Sequence, residues 1–216
     1  MLSTKVKASS ITHLTDARYF AAWETEWLGF YLSPGEGFSV DARQVAALQE
    51  WVDGVKICGE FGLSEAEDIL AAVELLQLNT VQLSMLCPLE TLTALHGKAE
   101  IIQEIVLEAY TTAEEIEEML QSRKDFVDYF LLNFAKGGII AEDLQNGQPY
   151  SLDQLKQWCE QFPVLVDLQL DNQSPTTFAE QVPVKGFAVQ GGEEEKTGYK
   201  SFEELDEFFE ALEILV

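Results

Sequence analysis

Eight short apolar segments alternate with longer segments of helical periodicity along this sequence. The short segments are rich in Val, Ile, Leu and Phe throughout. This composition is typical of parallel strands that are buried on both faces. The longer segments repeat apolar residues every three to four positions, which is typical of helices that cover a sheet. The predicted strands are Lys5 to Ser9, Trp27 to Tyr31, Gly54 to Cys58, Thr80 to Ser84, Ile101 to Leu107, Val127 to Asn133, Val164 to Leu170 and Lys185 to Gln190.

Capping boxes predict where several of the helices begin. In this motif a hydroxyl side chain caps one free backbone N–H, and a Glu or Gln three residues later caps another. The predicted pairs are Ser64 with Glu67, Thr112 with Glu115, Ser151 with Gln154, and Ser201 with Glu204.

The number and spacing of these units predict the fold. Eight βα units in 216 residues leave about 27 residues per unit, which fits a near-minimal α/β protein with a single (β/α)8 TIM barrel over residues 1–216. No linker rich in Pro, Gly or Ser divides the chain. A doubly wound open sheet is the alternative, but its Gly-rich turn after the first strand is replaced here by Ala8-Ser9-Ser10.

Charge and cysteine content restrict the partners and the compartment. The chain has 13 Lys and Arg against 38 Asp and Glu, a net charge of −25, so its surface repels nucleic acids and anionic membranes. Cys58, Cys87 and Cys159 are widely spaced and have no His companions, which favours free thiols over disulfides or a metal site. The N-terminal segment lacks an apolar core, and we expect a cytoplasmic protein.

Several motifs resemble the phosphoribosylanthranilate isomerase superfamily, a group of tryptophan-pathway barrels. They are Ile11 to Ala17, Leu28-Gly29-Phe30, Val81-Gln82-Leu83, and Gly191 with Glu193 near the end, and the similarity stays in register over nearly the whole chain. The resemblance implies an intramolecular isomerase that carries out an Amadori rearrangement of N-(5-phosphoribosyl)anthranilate without a cofactor. Family members occur as monomers and as dimers, so the resemblance leaves both states open.

The family's two catalytic positions carry other residues in this sequence. The resemblance places the strand-one general base, a Cys in the family, at Ser9, and the strand-six general acid, an Asp, at Asn133. A serine hydroxyl ionises far less readily than a thiol, and an amide has no titratable proton to give. We therefore expect the family's activity to be lost or much reduced.

The family's substrate-binding positions are also altered. By resemblance, the substrate-binding Arg falls near Phe38, and the phosphate-binding glycines after strand seven become Asp167-Leu168-Gln169. Gly191 and Gly192 retain the composition of an anion-binding turn, but Glu193 to Glu195 follow at once and oppose a phosphate. The candidate binding residues are Phe38, Gln169, Gly191 and Gly192.

Three functions remain open at this point. One is an isomerase or lyase that works with other residues, with Asp167 as acid or base. Another is a non-catalytic barrel that binds a small neutral or cationic metabolite, or a protein, at its acidic mouth. The third is a true isomerase in which the motifs are displaced by a residue or two. Cys58 is a candidate for the missing thiol, and Lys136-Gly137-Gly138 is a candidate mobile lid or anion loop, or a simple connector.

Overall fold

The computed structural model describes residues 1–33, 39–171, 173–191 and 202–214, and the backbone of 194–196 and 199–200. Eight parallel strands form a closed barrel in chain order, which confirms the predicted (β/α)8 fold. The open-sheet alternative is wrong because β1 pairs with both β2 and β8, from Lys5 opposite Gly186 to Ser9 opposite Gln190. The barrel strands are β1 (Lys5–Ser9), β2 (Trp27–Tyr31), β3 (Lys56–Phe61), β4 (Thr80–Leu83), β5 (Glu100–Val106), β6 (Tyr129–Asn133), β7 (Val164–Asp167) and β8 (Gly186–Gln190).

Two strands differ from the prediction by three residues at one end, and the others by two residues or fewer. Strand β3 runs from Lys56 to Phe61, later than predicted, because Gly54 adopts a left-handed turn at φ 76°. Strand β7 ends at Asp167, three residues earlier than predicted. Both differences matter at the mouth of the barrel, because they place Glu60 inside β3 and leave Asp167 as the last residue of β7.

The capping boxes at Thr112 and Ser151 are confirmed, since each hydroxyl accepts a hydrogen bond from the backbone N–H three residues later. The box at Ser64 is wrong: Glu65 precedes the helix, and the Ser64 hydroxyl shares a hydrogen bond with Ser33 instead. Ser201 lies outside the described residues. The helices are α1 (Leu14–Ala22), α2 (Ala42–Gln49), α3 (Ala66–Leu76), α4 (Leu89–Leu95), α5 (Ala113–Arg123), α6 (Ala141–Asn146), α7 (Leu152–Gln161), α8 (Pro175–Gln181) and α9 (Glu203–Leu212).

The apolar core has two parts, as strand alternation in a barrel requires. Outward-facing strand residues pack against the helices in the main core. A second, smaller cluster fills the middle of the barrel with Trp27, Cys58, Ile102, Leu131, Leu165 and Ala188.

A short β-hairpin follows the barrel, formed by β9 (Glu194–Lys196) and β10 (Tyr199–Lys200). None of the described helices has the length and apolar character needed to cross a bilayer.

The amino end of the barrel is closed by ion pairs around an aromatic ring. Lys5 and Lys56 each lie 2.9 Å from Glu26, and both ammonium groups lie over the Trp27 ring. The indole of Trp27 donates a hydrogen bond of 2.7 Å to Glu100. The charged groups of Lys5, Glu26, Lys56 and Glu100 thus satisfy one another.

We expect Glu26 to make this end sensitive to acid. Burial by itself raises the pKa of Glu26, but the hydrogen bonds from Lys56 and Lys5 outweigh it and leave the pKa below its usual value. Such a carboxylate stabilises the fold above its unfolded-state pKa, and the stabilisation is lost as the pH falls through the folded-state pKa. Below about pH 4.5 the melting temperature of the wild type should therefore fall more steeply than that of Glu26→Gln. Calorimetry against pH measures this, with Glu114→Gln on exposed α5 surface as a control that follows the wild type.

Candidate active site

A cavity of about 540 Å³ opens at the carboxyl ends of the strands, where (β/α)8 barrels carry their active sites. Each of the eight strands contributes an inward-facing residue near its carboxyl end to the wall. Two clusters of charged and polar side chains form its floor, one on β1 and β3 and the other on β5, β6 and β7. These strand residues are Ser9, Tyr31, Glu60, Gln82, Glu104, Asn133, Asp167 and Gln190.

The first cluster is a buried ion pair between Lys7 and Glu60. Lys7 is fully buried and also donates a hydrogen bond of 2.9 Å to the Ser9 hydroxyl. The other oxygen of Glu60 accepts hydrogen bonds from the backbone N–H and hydroxyl of Ser10, at 3.0 and 3.1 Å. Burial alone lowers the pKa of Lys7, but Glu60 more than offsets this, so the pKa lies above its usual value and Lys7 stays an ammonium.

This pairing determines what Ser9 can do. Because Lys7 is protonated, it can donate to the Ser9 oxygen but cannot take its proton. Gly29 makes the arrangement possible, since a Cβ at that position would lie 2.8 Å from the Lys7 nitrogen and would overlap the Glu60 carboxyl. Ser9 is therefore a fixed hydrogen-bond acceptor, and the described residues place no free base beside it.

The second cluster is organised by the Asn133 amide. Its Nδ2 donates to Glu104 Oε1 at 2.8 Å and to Asp167 Oδ2 at 3.2 Å, while its Oδ1 accepts from the Lys136 backbone N–H at 2.9 Å. The Lys136 ammonium lies 2.6 Å from Glu104. Asn133 thus holds two carboxyl groups side by side, a role that a charged aspartate at the same position would oppose by repulsion.

The Asp167 carboxyl group has a raised pKa in this cluster. Burial and the neighbouring Glu104 raise its pKa to about 6, although Lys7 and Lys136 pull it in the opposite direction. A carboxyl group with such a pKa is present in both protonation states close to pH 7, which is what a general acid or base needs. Asp167 is therefore the group at the mouth that is best suited to transfer protons.

The loop after β6 is a fixed support for this cluster. Ala135–Gly137 forms a 3₁₀ turn that is anchored by the two Lys136 hydrogen bonds. Gly137 is pressed against the carbonyl oxygen of Leu107, which leaves no room for a Cβ, and Gly138 follows in the left-handed region at φ 70°. The glycines are explained by close packing and turn geometry, which favours a connector over a mobile lid.

The remaining predicted site residues are dispersed. Gly191 lines the cavity beside the Asp16 carboxyl group. Gln169 is exposed, lies outside the cavity wall, and donates a hydrogen bond to Asp171. Cys58 is fully buried below the mouth, and burial raises its pKa to about 12, so it cannot supply the missing thiolate. Phe38, Gly192 and Glu193 lie outside the described residues, as do the side chains of residues 194 and 195.

Sequence reasoning missed Lys7, Glu60 and Glu104. Each is a charged residue within a buried strand, at an inward-facing position. That pattern was the available signal, because a charge in a buried strand needs a partner across the barrel. No group of His, Cys, Asp or Glu within the described residues has the arrangement of a metal site.

Comparison with solved structures places the fold among known enzymes. Phosphoribosylanthranilate isomerase from Thermotoga maritima matches with a TM-score of 0.77 and 20% identity, over 97% of this chain and 98% of that one. The Thermus thermophilus enzyme gives 0.72 and 25%, over 96% and 98%, and the Pyrococcus furiosus enzyme gives 0.74 and 15%, over 97% and 98%. The chain has the phosphoribosylanthranilate isomerase fold. No protein-family model and no curated protein matches the sequence.

The isomerase fold thus confirms at the level of architecture the resemblance seen in the sequence motifs. The chain is covered almost from end to end without a large insertion on either side.

Proposed function

We propose that this chain is a divergent member of the phosphoribosylanthranilate isomerase superfamily that transfers protons on a small polar molecule, with Asp167 as acid and base. The family's own Amadori activity is lost or much reduced. The observation that carries the proposal is the carboxyl group of Asp167, which faces the cavity, has a pKa of about 6 and lies 3.2 Å from the amide of Asn133.

The general acid that we propose lies on β7, one strand after the position of the family's acid on β6. Asn133 stands where the resemblance places the family's acid, and Asp167 opposite it in the β6–β7 register supplies a carboxyl group instead. Asn133 donates a hydrogen bond to this carboxyl group and keeps it facing the cavity. A protonated Asp167 can give a proton to a leaving or carbonyl oxygen, and the ionised form can take one back.

No neighbouring residue takes over the role of the family's general base at the Ser9 position. Ser9 accepts a hydrogen bond from an ammonium, and Glu60 uses its two oxygens to bind Lys7 and Ser10. The proposed chemistry therefore has one titrating centre, as in an isomerase or lyase in which the same carboxyl group takes and returns a proton. Proton transfer by this carboxyl group requires neither a metal nor a cofactor.

A displaced alignment finds little support. The inward-facing positions near the mouth are Lys7 and Ser9 on β1, and Leu131 and Asn133 on β6. A shift by one or two residues therefore brings neither a cysteine to β1 nor an aspartate to β6.

A second candidate function is a barrel that binds its ligand without reacting with it. The salt bridges of Glu60 and Glu104 favour it, because they engage both carboxylates with lysines.

The titration of Asp167 tests the proposed acid. We expect its carboxyl carbon, followed by NMR against pH and assigned by its loss in Asp167→Asn, to titrate with a pKa of about 6. Glu104→Gln removes the adjacent negative charge and should lower that pKa. Titration near pH 4, or a value that Glu104→Gln leaves unchanged, would contradict the proposal. Efficient turnover of N-(5-phosphoribosyl)anthranilate by the wild type would equally contradict the loss of the family's activity.

A further inference from the structure

The wall of the cavity offers hydrogen-bond acceptors that the described residues leave unused. Gln82 lies on β4 opposite Glu60 and is only 7% exposed. Its side-chain oxygen Oε1 is buried and has no hydrogen-bond partner among the described residues. A buried carbonyl oxygen without a partner is costly, so this atom calls for a donor from a molecule in the cavity.

The two ammonium groups that the described residues place at the mouth are both in ion pairs. Lys7 pairs with Glu60, and Lys136 pairs with Glu104. Asp167 forms no ion pair within the described part of the chain, and the one hydrogen bond to its carboxyl group comes from the neutral Asn133 amide. An ionised Asp167 therefore faces the cavity as an acceptor that is in direct contact with no cation of the described residues.

We infer that the cavity binds a small organic cation, a primary amine that also carries hydroxyl groups, with its ammonium on Asp167 and a hydroxyl donating to Gln82. This deepens the proposed function, on which it rests, because it assigns a class of ligand to the same site. An ammonium has three donors and suits a wall of carboxylate and amide oxygens, and its hydrogen bonds to a carboxylate are charge-assisted. An anion at the same place meets Glu60, Glu104 and Asp167 instead.

Three linear polyols with different terminal groups test this assignment by isothermal titration calorimetry. D-Glucamine carries an ammonium on C1, sorbitol carries a hydroxyl at the same position, and sorbitol 6-phosphate is sorbitol with an anionic group at the other end. At about pH 8 both Asp167 and the ammonium of glucamine are ionised. We expect glucamine to bind roughly tenfold more tightly than sorbitol, and sorbitol 6-phosphate to show no measurable binding.

Variants locate the two contacts. Asp167→Asn should abolish the preference for glucamine over sorbitol, while Gln82→Leu should weaken both ligands by a similar factor of roughly five. Glu114→Gln removes one surface charge from α5 and should match the wild type. Circular dichroism confirms that each variant is folded.

Equal affinity for the three ligands, tightest binding of the phosphate, or no binding of glucamine would each overturn the inference. So would a preference for glucamine that survives in Asp167→Asn. Failure of the proposed function has a different signature: Asp167 then titrates near its ordinary pKa of about 4, and as a carboxylate it still selects the cation.

Discussion

Glu60→Leu should lower the free energy of unfolding by about 3–5 kcal/mol, the largest stability effect that we expect at the mouth. The reason is that Lys7, which has no exposed surface, would lose its counter-ion and remain as an uncompensated charge inside the barrel. Urea denaturation, followed by tryptophan fluorescence and circular dichroism, measures the change.

The double variant Lys7→Met/Glu60→Leu separates the ion pair from the packing. Removing both charges leaves an apolar pair of similar volume, which is often tolerated, so most of the lost stability should return. If the double variant were less stable than Glu60→Leu alone, the ion pair would not be the source of the loss.

Gly29→Ala should also destabilise the fold, because its methyl group would occupy the space of the Glu60 carboxyl.

Restoring the family's residues should restore the family's reaction in part. We expect the triple variant Ser9→Cys/Asn133→Asp/Asp167→Gly to turn over N-(5-phosphoribosyl)anthranilate at least roughly a hundredfold faster than the wild type, because a positioned acid and base each contribute about 10²–10⁴-fold. Asp167→Gly belongs in the set because an aspartate at position 133 would lie within hydrogen-bond reach of the Asp167 carboxylate, and the two negative charges would repel each other. The fluorescence of the anthranilate group reports the rate.

Two partial variants make the result interpretable. Asp167→Gly alone supplies neither an acid nor a base and should stay inactive. Ser9→Cys/Asn133→Asp keeps Asp167 in place, so it should gain less than the triple variant. Wild-type activity equal to that of the triple variant would mean that Ser9 and Asn133 do not limit the reaction.

Much of the fold and part of the site could be predicted from the residues. The apolar strands and the caps at Thr112 and Ser151 are local patterns, and the structure confirms them. The prediction of β3 was offset by two to three residues, because Gly54 belongs to a turn and the apolar run alone does not show where pairing with β4 begins. This error placed Glu60 in a loop and hid its ion pair.

The amino-acid sequence by itself determined that this chain forms eight βα units, because burial on both faces imposes apolar strands and amphipathic helices. It also determined that Ser9 and Asn133 stand at two strand ends. The tertiary structure decided what these residues do, because closing the barrel brings together side chains that lie 53 residues apart in Lys7 and Glu60, and 34 apart in Asn133 and Asp167. Charge and pKa at the mouth depend on those distances, and distances across a barrel exist only once it has closed.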